Sequence, residues 1–505
     1  MRRAVLAVLA LLAIAHLYHL NSHPRFTNPN VASRVYLTLA IVDHGSLRID
    51  PYLQAHGDTL DKAEHHGHYY SDKAPGLSLW LVPLAWVLRH TLVPAPEYRG
   101  MEIALRFLGL TLPVLLFWAF ALRSYAAIAR SERAGLAVVV AGALGTNFLV
   151  FATNLFGHVP AACLLFLAFL TLRRLREGRC APSLCALSGF LLGAAFVTDY
   201  VVVLAVLVFG LYGLWWTRRV PLHALAYVTG ALAPLAVWMA MNTLSFGDPL
   251  TVGFQLSAYP EYRRGYGSGL AGVQIPDPRA LWEIWFSRAR GMLFLSPFLA
   301  LAPVGLVRLW RERSTRHDAV LAAAAIVGVW LFASTTLDWR GGWSAGVRYL
   351  VPAVPFLLLG VSACLEPGPR RSARALALSA LAIPGLALVG AAAATFPFFP
   401  DVLSDPLWQL AVPLSLASLT GRSVFDLVGV HAGILPWACV VACAAATLVG
   451  LLFEGVRARV CWGLGSLAIA LALLGGQWAS ASPPSPEERE QIRIVLHCMG
   501  YRGRP

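Results

Sequence analysis

The chain has 505 residues, 58% of them hydrophobic and 13% charged, with a mean hydropathy of +0.64 and a formal charge of +14. Soluble domains carry about 25% charged residues, so a soluble globular fold is excluded and an integral membrane protein is indicated. In such a chain the positive balance sets topology and meets anionic lipid, and it implies no nucleic-acid partner.

Met1-Arg2-Arg3 opens the chain, followed by an apolar run over 4–20. No small-residue cleavage site follows in "HLYHLNSHPRF", so the run reads as an uncleaved first span with a cytoplasmic N-terminus. Further apolar runs lie at 102–122, 134–152, 159–172, 184–197, 200–216, 222–244, 291–307, 319–336, 348–363, 375–395, 431–454 and 460–478. At bilayer length these predict about thirteen transmembrane helices. Arginine clusters stand near positions 2, 130, 174, 218, 311, 371 and 457. Short cytoplasmic loops are enriched in Arg and Lys, so all seven are placed inside, which leaves the C-terminus external. On this count the run 76–93 has two external ends and reads as re-entrant or interfacial.

The expected fold class is therefore all-α, a polytopic integral membrane protein whose transmembrane domain occupies 1–478. Residues 21–100 form a first external loop, 245–290 a second large one, and 479–505 a short external tail. Long segments fall outside and short ones inside, so any chemistry faces outward. Asp199, in "FVTDYVV", is the main charge near the spans, and this scarcity disfavours an ion pathway. The eight cysteines are dispersed, with neither metal spacing nor a disulfide framework.

Thirty-eight basic residues are arginine, and the two lysines, Lys62 and Lys73, share one short stretch of the first loop, "DKAEHHGHYYSDKAPG". That loop also carries Asp43, Asp50, Asp58, Asp61, Glu64 and Asp72, five histidines, and Tyr52, Tyr69 and Tyr70. Pro75 suits the first residue of a helix, which puts Lys73 beside a helix N-terminus, where an anion is favoured. A compact ammonium there fits a phosphate. His65, His66 and His68 with Asp61 or Glu64 offer metal-ligand types, but their spacing matches no closed site. A divalent metal is possible and not required.

The Tyr70-Ser71-Asp72-Lys73-Ala74-Pro75 motif, after an acidic loop and before an apolar segment, resembles the GT-C glycosyltransferases of family 39. These include the lipid A aminoarabinose transferases and protein O-mannosyltransferases, whose relatives often read Tyr-Phe-Glu-Lys-Pro-Pro. The motif covers roughly residues 30–80, and the plan of spans is also similar. The resemblance implies a GT-C-like fold and transfer of a sugar from a polyprenyl-phosphate donor to an envelope acceptor at the external face of a bacterial inner membrane. It also implies that Lys73 faces the carrier phosphate. Those families carry an Asp-Glu pair early in the first loop; here the matching place, near Asn30-Val31, is not acidic.

Glycosyl transfer needs a proton acceptor for the incoming hydroxyl and positive charge at the leaving phosphate. The candidate bases are Asp50, Asp61 and Asp72, with Asp43 and Asp58 behind them. Candidate phosphate ligands are Lys73, Arg348 and Arg340, the last two bracketing a Gly-rich turn in "LDWRGGWSAGVRYL". The same arginines also suit an aromatic interfacial anchor. His68, Tyr70, His158 and Tyr349 are candidates for the cavity or acceptor wall, and 245–290 for a lid, an acceptor groove or an interfacial helix. A ligase acting on lipid-linked glycans, or a non-catalytic lipid transporter, is the alternative.

Overall fold

The protein is seen in a computed structural model that describes residues 2–91, 97–267, 272–429 and 433–501. The end of the run 76–93, residues 268–271 of the second external loop, the start of the span 431–454 and the last four residues of the tail lie outside the described residues.

A backbone in lipid must satisfy its own hydrogen bonds, and apolar runs of bilayer length do so as helices. Among the described residues, nine helices are long and apolar enough to cross a membrane: Arg2–His19, Tyr98–Ala129, His158–Arg176, Tyr200–Thr217, Pro221–Phe246, Arg316–Ser334, Arg371–Ala394, Leu435–Leu452 and Val456–Ala479. Pro182–Thr198, Arg348–Cys364 and Leu407–Leu416 are shorter apolar helices. The chain is an all-α polytopic membrane protein. Pro221–Phe246 and Val456–Ala479 turn mostly apolar, exposed side chains outward, such as Leu225, Leu232, Leu464 and Leu471, as lipid-facing helices do. Inside, Phe166 meets Phe117, Tyr125, Phe169 and Phe356 with ring centroids 5.5–5.8 Å apart.

Two expected spans are broken. The run 134–152 ends as a helix at Leu144 and resumes as Phe148–Ala152, and 291–307 is divided into Met292–Leu295, Pro297–Leu301 and Ala302–Arg311. Pro297 and Pro303 remove backbone donors, so one continuous helix cannot form there. The first external segment is more ordered than a loop. Asn28 caps a helix over Pro29–His44 by accepting from Asn30 N at 2.9 Å, with Pro29 in the first position. The expected interfacial run forms the helix Gly76–Thr91. The two run side by side in the same direction: Ser78 Oγ donates to Arg34 O at 3.1 Å near one end, and Arg89 pairs with Asp43 at 2.8 Å near the other. The C-terminal tail is likewise helical over Pro486–Cys498, opened by a capping box between Ser485 and Glu488.

Basic clusters gather at one end of the bundle. Arg130 pairs with Glu312 at 3.0 Å and Glu366 at 3.4 Å, Arg133 with Glu454 at 3.0 Å, and Arg176 with Asp318 at 2.7 Å. His317 packs on Tyr212 and Trp216, which brings the Arg218 end of its helix to the same place. The first helix finishes at the opposite end, where His19 packs edge-on against Trp437, so Arg2 and Arg3 join the other arginines. The long segments 21–100, 245–290 and 396–430 meet at that opposite end through Ser22–Arg422 and Ala63–Ser257 bridges.

Asp318 is 1% exposed and also faces Arg173 at 3.6 Å, so it neutralises two arginines where helices His158–Arg176 and Arg316–Ser334 converge. Removing one partner of a buried pair strands the other charge. Asp318→Ala should lower stability by about 3 kcal/mol, read as a fall in the thermal unfolding midpoint in detergent.

Candidate active site

Residues Lys62–His65 and His68–Ser71 form an antiparallel hairpin within the helical protein. Its turn residues, His66 at φ 50° and Gly67 at φ 77°, have the paired positive φ values of a two-residue hairpin turn. Register pairs Lys62 with Ser71, so Asp61 and Asp72 come next to each other at the open end. Lys73 follows and places its ammonium between them: Nζ is 3.1 Å from Asp61 Oδ1 and 3.2 Å from Asp72 Oδ1. The other lysine has a structural role, because Lys62 Nζ pairs with Asp58 and lies 4.5 Å from the centre of the Tyr69 ring.

Asp61, Asp72 and Lys73 form part of the wall of a cavity of about 420 Å³. This lies within the size range of small-molecule sites. The walls come from distant parts of the chain: Asn30 and Arg34, then His158, Asp199 and Tyr200, then Arg348, Tyr349, Asp338 and Asp401. Phe254, Tyr262 and Tyr266 of the second long segment close one side, and Phe26 and Trp343 add aromatic surface. Gly253 packs so tightly on Asp72 that an added Cβ would stand 2.7 Å from Asp72 Cα. The 245–290 segment is therefore a wall of the cavity, and it is hydrogen-bonded to the hairpin through Ala258 N and Lys62 O at 2.9 Å.

Among the described residues, Arg348 has no carboxylate within ion-pair distance; its Nη2 reaches the Tyr349 hydroxyl at 3.4 Å, and its Nε is buried without a hydrogen-bond partner. Gly341, at φ +81°, is what lets the chain turn against it: a Cβ there would lie 2.9 Å from the Arg348 side chain. Arg34 is 3% exposed and braced by Asn30 Oδ1 at 3.1 Å and Ala74 O at 2.9 Å. His158 Nδ1 meets Asp199 Oδ2 at 2.7 Å. Arg290, fully buried, donates to Phe399 O at 2.8 Å and Pro400 O at 2.9 Å, fixing the loop that presents Asp401.

Of the residues expected from the sequence, Asp61, Asp72, Lys73, Arg348, His158 and Tyr349 meet in this cavity. Asp50 does not: it lies behind the hairpin, accepting from Tyr69 N at 3.2 Å with His68 Nδ1 at 3.7 Å. His68 therefore belongs to that support, and Tyr70 packs against Phe246 on the far face. Arg340 is absent from the wall; its guanidinium lies over the Trp339 ring at 5.4 Å. Among the described residues, no group of three or more His, Cys, Asp or Glu side chains could hold a metal ion, and the hairpin histidines are no exception. Arg34 and Asp199 were not singled out as site residues. Asn28-Pro29 was a readable helix start for the first, but nothing local marks the second as the partner of His158. Asn30, at the place matching the missing acid, is in the wall and bonded to Arg34.

Burial raises the Asp72 carboxyl to about 6, against the pull of Lys73 and with a further push from Asp61. Lys73 is itself raised: burial opposes its charge, and Asp61 and Asp72 more than offset that. The cavity thus holds a secured ammonium beside a carboxyl that changes charge in the weakly acidic range.

No protein-family model and no curated protein matches the chain. Among solved structures, the crystal structure of ArnT from Cupriavidus metallidurans in the apo state is similar at a TM-score of 0.48 and 15% identity, covering 94% of this chain and 77% of that one.

Acidification through pH 6 removes the Asp72 charge and leaves Lys73 charged, so a permanent dianion should bind better on the acid side. Sulfate affinity, titrated calorimetrically in detergent, should rise about tenfold between pH 7.5 and 5, and Asp72→Asn should flatten that rise. Gly341→Ala should weaken sulfate binding at both pH values by displacing Arg348.

Proposed function

We propose that the protein is a membrane glycosyltransferase that moves a sugar from a polyprenyl-phosphate donor to an envelope acceptor, with its site at the external face of a bacterial inner membrane. The observation that carries the reading is the convergence of Lys73 and Arg348, from opposite halves of the chain, on one cavity beside Asp61 and Asp72. Arg348 has no carboxylate at ion-pair distance among the described residues, and Lys73 brings a charge held by carboxylates that a phosphate can replace. Preorganised cations of this kind stabilise a phosphate as it gains charge on leaving the sugar, and they do so without reorganising in the reaction. In this reading a divalent metal is not needed.

The arrangement suits a lipid-borne donor. The cavity is at the end of the bundle away from the paired arginine clusters. A phosphate there sits at headgroup depth while its polyprenyl chain stays among apolar side chains. Aromatic residues Phe26, Tyr262, Tyr266 and Trp343 offer flat surfaces of the kind that pack on sugar rings. The incoming hydroxyl must lose a proton, and the acceptors in the cavity wall are Asp61, Asp72, Asp338, Asp401 and His158, the last backed by Asp199.

The test is release of free undecaprenyl phosphate by purified protein in liposomes, offered undecaprenyl-phosphate arabinose, mannose, glucose or N-acetylglucosamine with an envelope lipid extract. Wild type should release it from at least one donor, and Lys73→Ala should reduce the rate by about a hundredfold or more. Wild-type turnover that survives Lys73→Ala and Arg348→Ala unchanged would contradict the assignment of the phosphate site.

A further inference from the structure

Resting on the donor reading above, we infer that His158, held by Asp199, is the group that takes the acceptor's proton, in place of Asp61 and Asp72. The geometry distinguishes these candidates. Lys73 Nζ lies 3.1 Å from Asp61 and 3.2 Å from Asp72, so both carboxylates are engaged with the cation that receives the phosphate. A phosphate arriving there brings negative charge close to both. Like charges in one site favour the protonated form of a carboxyl, so donor binding leaves less of these two in the ionised form that can accept a proton.

His158 is placed differently. It is the first residue of the helix His158–Arg176, and its Nδ1 is 2.7 Å from Asp199 Oδ2, both side chains buried in the cavity wall. Asp199 is held in turn by accepting from Val201 N at 3.2 Å. A carboxylate on Nδ1 fixes the tautomer with its proton there, which leaves Nε2 as the lone-pair nitrogen. Nε2 is in no hydrogen bond among the described residues, whereas Nδ1, although 2.7 Å from Asp199, is buried off the line of a well-formed hydrogen bond. The ring stands edge-on to Tyr349 at 5.5 Å and near Phe151 and Phe156, which leaves it little freedom to turn. The charged groups facing it are Asp199 from the turn before Tyr200, Arg34 from Pro29–His44, and Arg348, with Tyr349, from the helix Arg348–Cys364. Asp199, 2.7 Å from the ring, stabilises the imidazolium formed in the reaction.

The step balances without a further reactant. The acceptor oxygen forms a bond to the anomeric carbon and its proton passes to His158 Nε2. The bond from that carbon to the phosphate oxygen breaks, and its electron pair leaves with the polyprenyl phosphate. The imidazolium then returns the proton to water or to the departing phosphate.

The experiment compares wild type, His158→Gln and Asp199→Asn in the same liposomes, measuring undecaprenyl phosphate binding and, separately, undecaprenyl phosphate release from the donor panel across pH 5 to 8.5. Binding serves as the control for folding. The expected result is release lowered by about 10²–10³ in His158→Gln with binding within about threefold of wild type. In Asp199→Asn the acid limb of the rate profile should move to lower pH, because the imidazolium has lost its carboxylate; a purely structural contact would not move it. Wild-type release rates in His158→Gln, with donor bound, would overturn the proton-acceptor assignment alone. Failure of wild type to bind undecaprenyl phosphate at all would overturn the donor reading and the assignment with it.

Discussion

The site depends on one ammonium held between two carboxylates. Lys73 cannot be buried as a cation without nearby negative charge, since the loss of hydration costs several kcal/mol. Asp61 and Asp72 supply that charge, and the hairpin register is what makes them neighbours. The turn at His66-Gly67, the packing of Gly253 on Asp72 and the brace from Arg34 to Ala74 O all serve this placement. Arginine could not easily replace the lysine, because a planar fork does not fit a point between two single carboxylate oxygens. The scarcity of lysine in this chain thus has a physical explanation at both positions: one holds the hairpin, and the other occupies the cavity.

Charge is segregated along the bundle. At one end, arginines are paired with Glu312, Glu366, Glu454 and Asp318. At the other, long segments fold over a cavity where cations are only partly neutralised. The same separation that orients a chain in a bilayer leaves cationic side chains at the cavity end. His158 and Asp199 add a second polar pair to the same wall, an imidazole on one carboxylate where the Lys73 cluster is an ammonium between two.

Much of this was legible in the sequence because membrane spans are written in hydropathy and orientation in arginine. The motif around Lys73 was readable for the same reason, as a local pattern of charge and proline. What was not legible depended on pairing between distant segments. Nothing in "TLDKAEHHGHYYSDK" states the hairpin register, although His66-Gly67 with flanking β-formers was a turn signal. By residue type Asp50 is as good a base as Asp61, but its carboxylate accepts from the Tyr69 amide behind the hairpin. Arg34 lay in a stretch read as loop, despite the Asn28-Pro29 helix start. Asp199 was visible only as an unusual charge, since its meaning lies in a histidine on another helix.

The central claim is that Lys73 and Arg348 hold the phosphate of a polyprenyl carrier. The most direct measurement is an experimental structure with undecaprenyl phosphate bound. The account predicts the phosphate in the cavity, with oxygens within hydrogen-bond distance of Lys73 Nζ and the Arg348 guanidinium, and the polyprenyl chain leaving toward lipid. A phosphate bound elsewhere, with Lys73 still between Asp61 and Asp72 and Arg348 still on Tyr349, would contradict it.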